Sequence, residues 1–379
     1  MFRIAIAVAP YKDCLDSLQV ARSLGRGIER VFGNRAEIST LPVADGGDGT
    51  IDALRQIEGS VTITLPATDP LGRVITAPYL WFPDKKRAII EMALISGLAL
   101  LGEGERDPLI TSTFGTGELI RDALERGAER VLLGAGGSAT NDAGAGAVAA
   151  LGLIFRDREG NEFVPVGGTL SQVAEICDMR LKSLIAGRDI SIMADVTNPL
   201  LGPNGCAAIY APQKGAASET VLRLEREMEL FARTATRFTG REVAHIPGSG
   251  AAGGLAAGLV WFCNASVTEG FRAIARETSL DRMVSDCDIV VTGEGSMDSS
   301  TFHGKAPYNV ALLAKEYGKK VIAVNGVTSI SSPLAADIFD GIISLGDEEP
   351  DRAIAIERAV ELLENAGVRA AKMMMHLLS

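Results

Sequence analysis

The chain predicts an α/β protein of two domains, and three observations carry that expectation. Near-continuous apolar runs at 2–9, 288–291 and 320–324 are each followed by a helix-period segment, which is the texture of buried parallel strands with crossover helices. Between about 61 and 284 the texture changes to shorter strands and tight turns. At 379 residues the chain exceeds one ordinary core, and 47% hydrophobic with 22% charged residues describes a globular protein. Residues 1–60 and 285–379 are therefore expected to form a discontinuous, doubly wound, Rossmann-like parallel sheet. Residues 61–284 are expected as an inserted mixed α/β domain.

In chain order, the strand at 2–9 meets Lys12 and Asp13 at once and lacks the charged start and long apolar run of a signal peptide. Ser17 is the expected cap of a helix whose apolar face is Leu18, Ala21, Leu24, Ile28 and Val31. A strand at 37–43 ends in Ala44-Asp45-Gly46-Gly47-Asp48-Gly49-Thr50, and a helix follows through Leu54. Strands at 61–65, 74–81 and 88–92 are joined by Asp69-Pro70-Leu71-Gly72 and Pro83-Asp84-Lys85-Lys86, which suits an antiparallel or mixed sheet. After a helix at 111–126, the strand beginning at Val131 opens into Gly134-Ala-Gly136-Gly137-Ser138-Ala-Thr140-Asn141-Asp142-Ala-Gly144 and a small-residue helix. A strand at 190–195, a long helix at 219–238 and a loop-helix at 248–258 complete the insertion. The return to doubly wound texture ends in a C-terminal helix with Ile354, Ala359, Leu362 and Leu363 on its apolar face.

Composition excludes several classes of function. A net charge of −11 without a basic, aromatic-laced stripe argues against nucleic acid. Five scattered cysteines and three histidines suit a reducing cytoplasm, not a disulfide framework or a zinc site. Residues 243–268 carry no Asp, Glu, Lys or Arg, but Pro247, Asn264 and five glycines interrupt them, so a buried helix is expected and not a membrane span.

The glycine run at 134–144 is a phosphate cradle on physical grounds, because a loop at a helix N-terminus aims several N–H groups outward. The same glycines also suit a tight turn that needs positive φ. No GxxxxGK[ST] occurs, so the chain is not a P-loop NTPase. Gly248, Gly250 and Gly253 form GxGxxG, but no Val/Ile strand leads into it, so close packing or an anion loop is expected over a dinucleotide site. Four loops carry carboxylates beside turn residues: Asp45/Asp48, Asp142, Asp195 and Glu294/Asp298. Any one of them could simply cap a turn. Together, in a crevice with amide nests, they suit Mg²⁺ on phosphate and a carboxylate that accepts a hydroxyl proton. Lys12, Lys214 and Lys305, each beside a turn signal, are candidates to neutralise phosphate or a substrate carboxylate.

These strings carry a resemblance. Leu41-Pro-Val-Ala-Asp-Gly-Gly-Asp-Gly-Thr50, Gly136-Gly-Ser-Ala-Thr-Asn-Asp142, Asp195-Val-Thr-Asn-Pro-Leu-Leu-Gly-Pro203, Gln213-Lys-Gly215, Gly250-Ala-Ala-Gly-Gly254, Thr292-Gly-Glu-Gly295 and His303-Gly-Lys-Ala-Pro307 resemble the bacterial type I glycerate kinase family, collinearly over about 2–330. The resemblance implies ATP- and Mg²⁺-dependent phosphorylation of D-glycerate to 2-phosphoglycerate by a cytoplasmic enzyme, with the active site in the cleft between the two domains. It implies Asp195 as proton acceptor, with Lys12 and Lys305 on the substrate carboxylate or the transferring phosphoryl group. Gly136, Gly137, Ser138, Asn141 and Asp142, with Gly293, Glu294, Gly295 and His303, would bind nucleotide, and Asp45 or Asp298 would position Mg²⁺. The expected partners are a small hydroxy acid and ATP, with a homodimer left open and neither nucleic acid nor membrane. Two departures bear on the acceptor. Pro10 runs straight into Tyr11-Lys12 where the family carries Asp-Ser, and Ser296 and Ser300 replace an Arg and a Gln. Serine lacks the planar bidentate donor that arginine supplies. A kinase of another small hydroxy acid and a non-catalytic ligand-binding paralogue are the alternative expectations.

Overall fold

The computed structural model describes residues 1–11, 13–44, 49–55, 57–302, 304–330 and 333–378. Contacts divide the chain into two compact units, Met1–Asp45 with Asp52–Ile57 and Phe271–Ser379, and Gly46–Ile51 with Glu58–Gly270.

The first unit is built on a five-stranded, wholly parallel sheet ordered Gly341–Ser344, Lys320–Asn325, Ile289–Thr292, Phe2–Val8 and Ala36–Pro42. Strand alternation splits its apolar side chains into two cores. Ile4, Ile6 and Val8 pack with Val20, Leu24 and Ile28 of the helix Ser17–Phe32 and with Leu362, Ala366 and Ala370 of the helix Ala359–Leu377. Ala5, Ala7 and Val290 face the other way, onto Phe271, Leu280, Val284 and Val310. Helices thus cover both faces, as a parallel sheet requires. The second core also explains a boundary. Division at 285 was expected, but Phe271, Ala275, Leu280 and Val284 bury their apolar faces in the first unit, so the chain returns to it at Phe271.

The second unit carries a six-stranded mixed sheet ordered Ser266–Thr268, Asp189–Met193, Arg130–Gly134, Arg87–Glu91, Val74–Phe82 and Val61–Thr68. The first four strands are parallel and the last two antiparallel. Register sets Glu91 and Met193 level with Gly134, so three strands end together. Loops leaving the carboxyl ends of parallel strands are where α/β proteins place ligands.

Two local expectations are corrected. Asp16, not Ser17, caps the first helix, because Asp16 accepts from Gln19 N–H at 2.8 Å while the Gln19 side chain returns to the Asp16 N–H at 3.0 Å. Ile354 lies on a separate helix, Arg352–Glu357, which stops at Arg358 before the C-terminal helix begins. The uncharged stretch forms the wholly buried helix Ala251–Cys263, and no described helix is long and apolar enough to cross a membrane.

Candidate active site

In the second unit the strand Arg130–Gly134 runs out into the glycine loop at 135–144, and the hydrogen bonds of that loop fall into two classes. Its far end is closed. The Asp142 carboxylate, fully buried, accepts at Oδ2 from Thr113 N–H and Oγ1 at 2.8 Å each and from Gly146 N–H at 3.2 Å; its Oδ1 accepts from Gly144 N–H at 3.0 Å. Thr113 Oγ1 in turn accepts from Ala147 N–H at 2.9 Å. Asp142 and Thr113 therefore occupy the donors at the start of the short helix Ala145–Ala150. The cradle expected at that helix end is not free for a ligand, and Asp142 shapes the loop from inside. Burial pushes its carboxyl above the usual range, opposed by those hydrogen bonds.

The near end is open. Gly136 is half-buried and Gly137 exposed. The N–H groups of Gly136, Gly137 and Ser138 donate to no acceptor among the described residues. The groups around them are pinned: Gly137 O accepts from Leu98 N–H at 2.8 Å, and the next N–H, that of Ala139, donates to Ser96 O at 3.0 Å. Behind this edge lies Lys214, 1% exposed, whose Nζ donates to Ser138 Oγ at 2.9 Å and Thr140 O at 2.6 Å. Burial pulls the Lys214 ammonium down to about 8, with Cys206 and Asp142 acting against the fall.

The GxGxxG run is a packing device. Residues 252–254 take left-handed dihedrals, and a Cβ on Gly253 would lie 1.8 Å from Thr140 O. Gly253 O accepts from Ala143 N–H at 3.1 Å, so this turn braces the glycine loop. No strand leads into it, since the preceding residues 244–250 are turn and coil.

Asp195 stands two residues past the end of Asp189–Met193, exposed, with Oδ1 accepting from Gly270 N–H at 2.9 Å. Glu91, missed in the sequence reading, is buried at the end of its strand and accepts from Gly49 and Ile51 N–H at 2.8 and 3.1 Å. An acidic residue closing the apolar run Ala88-Ile89-Ile90 was the available signal. Glu91 thus anchors the backbone at Gly49 and Ile51. Asp45, Lys12 and His303 themselves lie outside the described residues.

The first unit assembles the other group. A Cβ on Gly293 would sit 1.6 Å from Val324 O, so only glycine lets the loop after Ile289–Thr292 cross its neighbour. Gly295 O accepts from Val327 N–H at 3.0 Å, and this pairing fixes the loop's course. Buried Glu294 accepts from Thr301 Oγ1 at 2.6 Å and from Lys305 Nζ at 3.4 Å. Burial raises the Glu294 carboxyl above the usual range, against the pull of Thr301 and Lys305. Asp298 Oδ1 accepts from Ser300 N–H at 2.8 Å and from the Ser300 hydroxyl, and Lys305 Nζ lies 3.6 Å away. Those Ser300 bonds, then Lys305, hold Asp298 below the usual carboxylate range. Its Oδ2 receives no hydrogen bond among the described residues. Tyr11 buries its ring at the altered first-strand end and donates to Val324 O at 2.8 Å.

Known proteins resemble this chain over most of its length. The model of the glycerate kinase family matches residues 4–375. A glycerate kinase of Halalkalibacterium halodurans is 41% identical over 326 residues, 86% of each chain. The Bacillus subtilis glycerate kinase is 39% identical over 379 residues, 98% of this chain and 99% of that one. Glycerate 2-kinase of Escherichia coli K12 is 40% identical over 328 residues, 86% of this chain and 85% of its own. A crystal structure from Salmonella typhimurium LT2, provisionally assigned as glycerate kinase 2, superposes with a TM-score of 0.89 at 37% identity, covering 99% and 98% of the two chains.

Proposed function

The chain belongs to the glycerate kinase family, and from that premise we propose that it transfers the γ-phosphoryl group of ATP to the 2-hydroxyl of D-glycerate, as a type I enzyme of the cytoplasm. The observation that carries this reading is the open edge at Gly136, Gly137 and Ser138: three backbone donors without acceptors among the described residues, at the carboxyl end of a parallel strand. Uncommitted N–H groups of this kind hold anionic oxygens.

Asp195, exposed and oriented by Gly270 N–H, accepts the proton of the attacking hydroxyl as the new P–O bond forms and the bond to the ADP oxygen breaks. Lys305, held at 3.4 Å from Glu294 and 3.6 Å from Asp298, offers a charge for the transferring group. Among the described residues no three His, Cys, Asp or Glu side chains converge as a metal cage. Mg²⁺ is bound by one or two carboxylates plus phosphate oxygens, and Asp298 would hold it through an oxygen that receives no hydrogen bond among the described residues. When bound, the ion neutralises charge on the phosphate oxygens.

The purified chain with ATP, Mg²⁺ and D-glycerate is expected to release ADP and yield 2-phosphoglycerate by phosphorus NMR. Accumulation of 3-phosphoglycerate would replace the regiochemistry. Failure to release ADP with glycerate, alongside release with another hydroxy acid, would replace the acceptor. Ser296 and Ser300, standing where the resemblance implies an arginine and a glutamine, make that screen informative.

A further inference from the structure

The chemistry of a buried lysine adds something to the glycine loop that the run of glycines does not. Removing an ammonium from water is costly unless anionic or strongly polar partners replace the solvent. The two hydrogen-bond partners of Lys214 are neutral, the Ser138 hydroxyl and the Thr140 carbonyl. The carboxylate of the glycine loop that acts on it, Asp142, is engaged by Thr113, Gly144 and Gly146. An ammonium only donates, so at Ser138 the hydroxyl oxygen must accept. The Ser138 hydrogen then points away from Lys214 and meets no acceptor among the described residues. Two more polar atoms of the same loop, Thr140 Oγ1 and Asn141 Oδ1, are buried with no partner, which folded proteins rarely leave uncompensated.

We propose that Lys214 is a positioning residue that turns Ser138 into an obligate donor, adding its O–H to the three backbone N–H groups as a four-point cradle for an anionic oxygen group. The inference rests on the phosphotransferase reading above and names what this loop binds: either a nucleotide phosphate or the glycerate carboxylate. Both present the same chemistry to the loop, and the titration separates them.

Isothermal titration of the full-length chain with D-glycerate, and separately with Mg-ADP, reads ligand affinity without turnover. Ser138→Ala and Lys214→Met are each expected to weaken one of these ligands by about tenfold or more, the range for a hydrogen bond to a charged group, and to leave the other within about twofold. The double variant is expected to be no weaker than the worse single one, because both changes remove the same donor. Ser138→Thr, which keeps the hydroxyl, is expected to restore affinity. Weakened glycerate assigns the cradle to the carboxylate, and weakened Mg-ADP assigns it to phosphate. Wild-type affinity for both ligands in Ser138→Ala, or losses that add in the double variant, would overturn the proposal. So would a wild-type chain that binds neither ligand. Should Lys214→Met not fold, the contrast of Ser138→Ala with Ser138→Thr decides alone. Absence of ADP release in the wild type instead counts against the phosphotransferase reading and leaves these affinity ratios intact.

Discussion

The two glycine-rich loops of this molecule use the same residue types to opposite effect. In the second unit, Asp142 is turned inward onto Thr113, Gly144 and Gly146, and Lys214 is buried against neutral oxygens. What remains open on that loop includes the three N–H donors of Gly136, Gly137 and Ser138. In the first unit, Glu294 and Asp298 share Lys305, and the group left unengaged is a carboxylate oxygen. One loop therefore suits an anion, and the other suits a cation together with the charge of a transferring phosphoryl group. Glycine content does not distinguish them. Where the carboxylate points does.

Stability measurements should separate the two acids most widely. Asp142→Ala strands three buried N–H groups and one hydroxyl, so urea denaturation is expected to show a loss on the order of 4 kcal/mol. Asp298→Ala removes a partly exposed turn acceptor and is expected to leave the urea midpoint close to that of the wild type, while raising the Mg²⁺ concentration needed for turnover. Equal destabilisation by the two would break the contrast.

The proton on Lys214 gives a finer test. The titratable groups facing it are Cys206, whose thiol burial pushes up to about 12, and Asp142, with Glu225 acting on Cys206. Because burial pulls the Lys214 ammonium of the folded, unliganded chain down to about 8, the affinity of an anion for this loop should be full below that value and decline as pH rises through it. Lys214→Met should lack that alkaline limb. The sign for stability is opposite. A lysine depressed in the folded state contributes stability that is present above its unfolded value of about 10.5 and is lost as pH falls through about 8. Anion affinity that rises across pH 8 would contradict the assignment.

Much of the fold was legible because its signals are local. Runs such as Phe2–Val8 and Ile289–Thr292 are buried on both faces and read as continuous apolar sequence. The insertion is marked by turn residues at Asp69-Pro70 and Pro83-Asp84. Errors arose where one residue decides, as with Asp16 beside Ser17, or where helical spacing continues across a break, as with Ile354 before Arg358. The glycine loop was legible as a place, but its function depends on partners distant in sequence. Asp142 points inward because Thr113 lies 29 residues back, and Ser138 is held by Lys214 76 residues ahead. No periodicity records such pairs. The acid at Glu91 was hidden for a related reason, since its partners, Gly49 and Ile51, come from a separate turn some 40 residues away.

The most direct test of the anion cradle is the amide spectrum of the nitrogen-15-labelled chain titrated with D-glycerate and then with Mg-ADP. The N–H resonances of Gly136, Gly137 and Ser138 are expected to shift with one of the two ligands, while those of Gly144 and Gly146, already bonded to Asp142, stay in place. Shifts at Gly144 and Gly146 with the three upstream amides unmoved would return the ligand to the helix end and contradict the account.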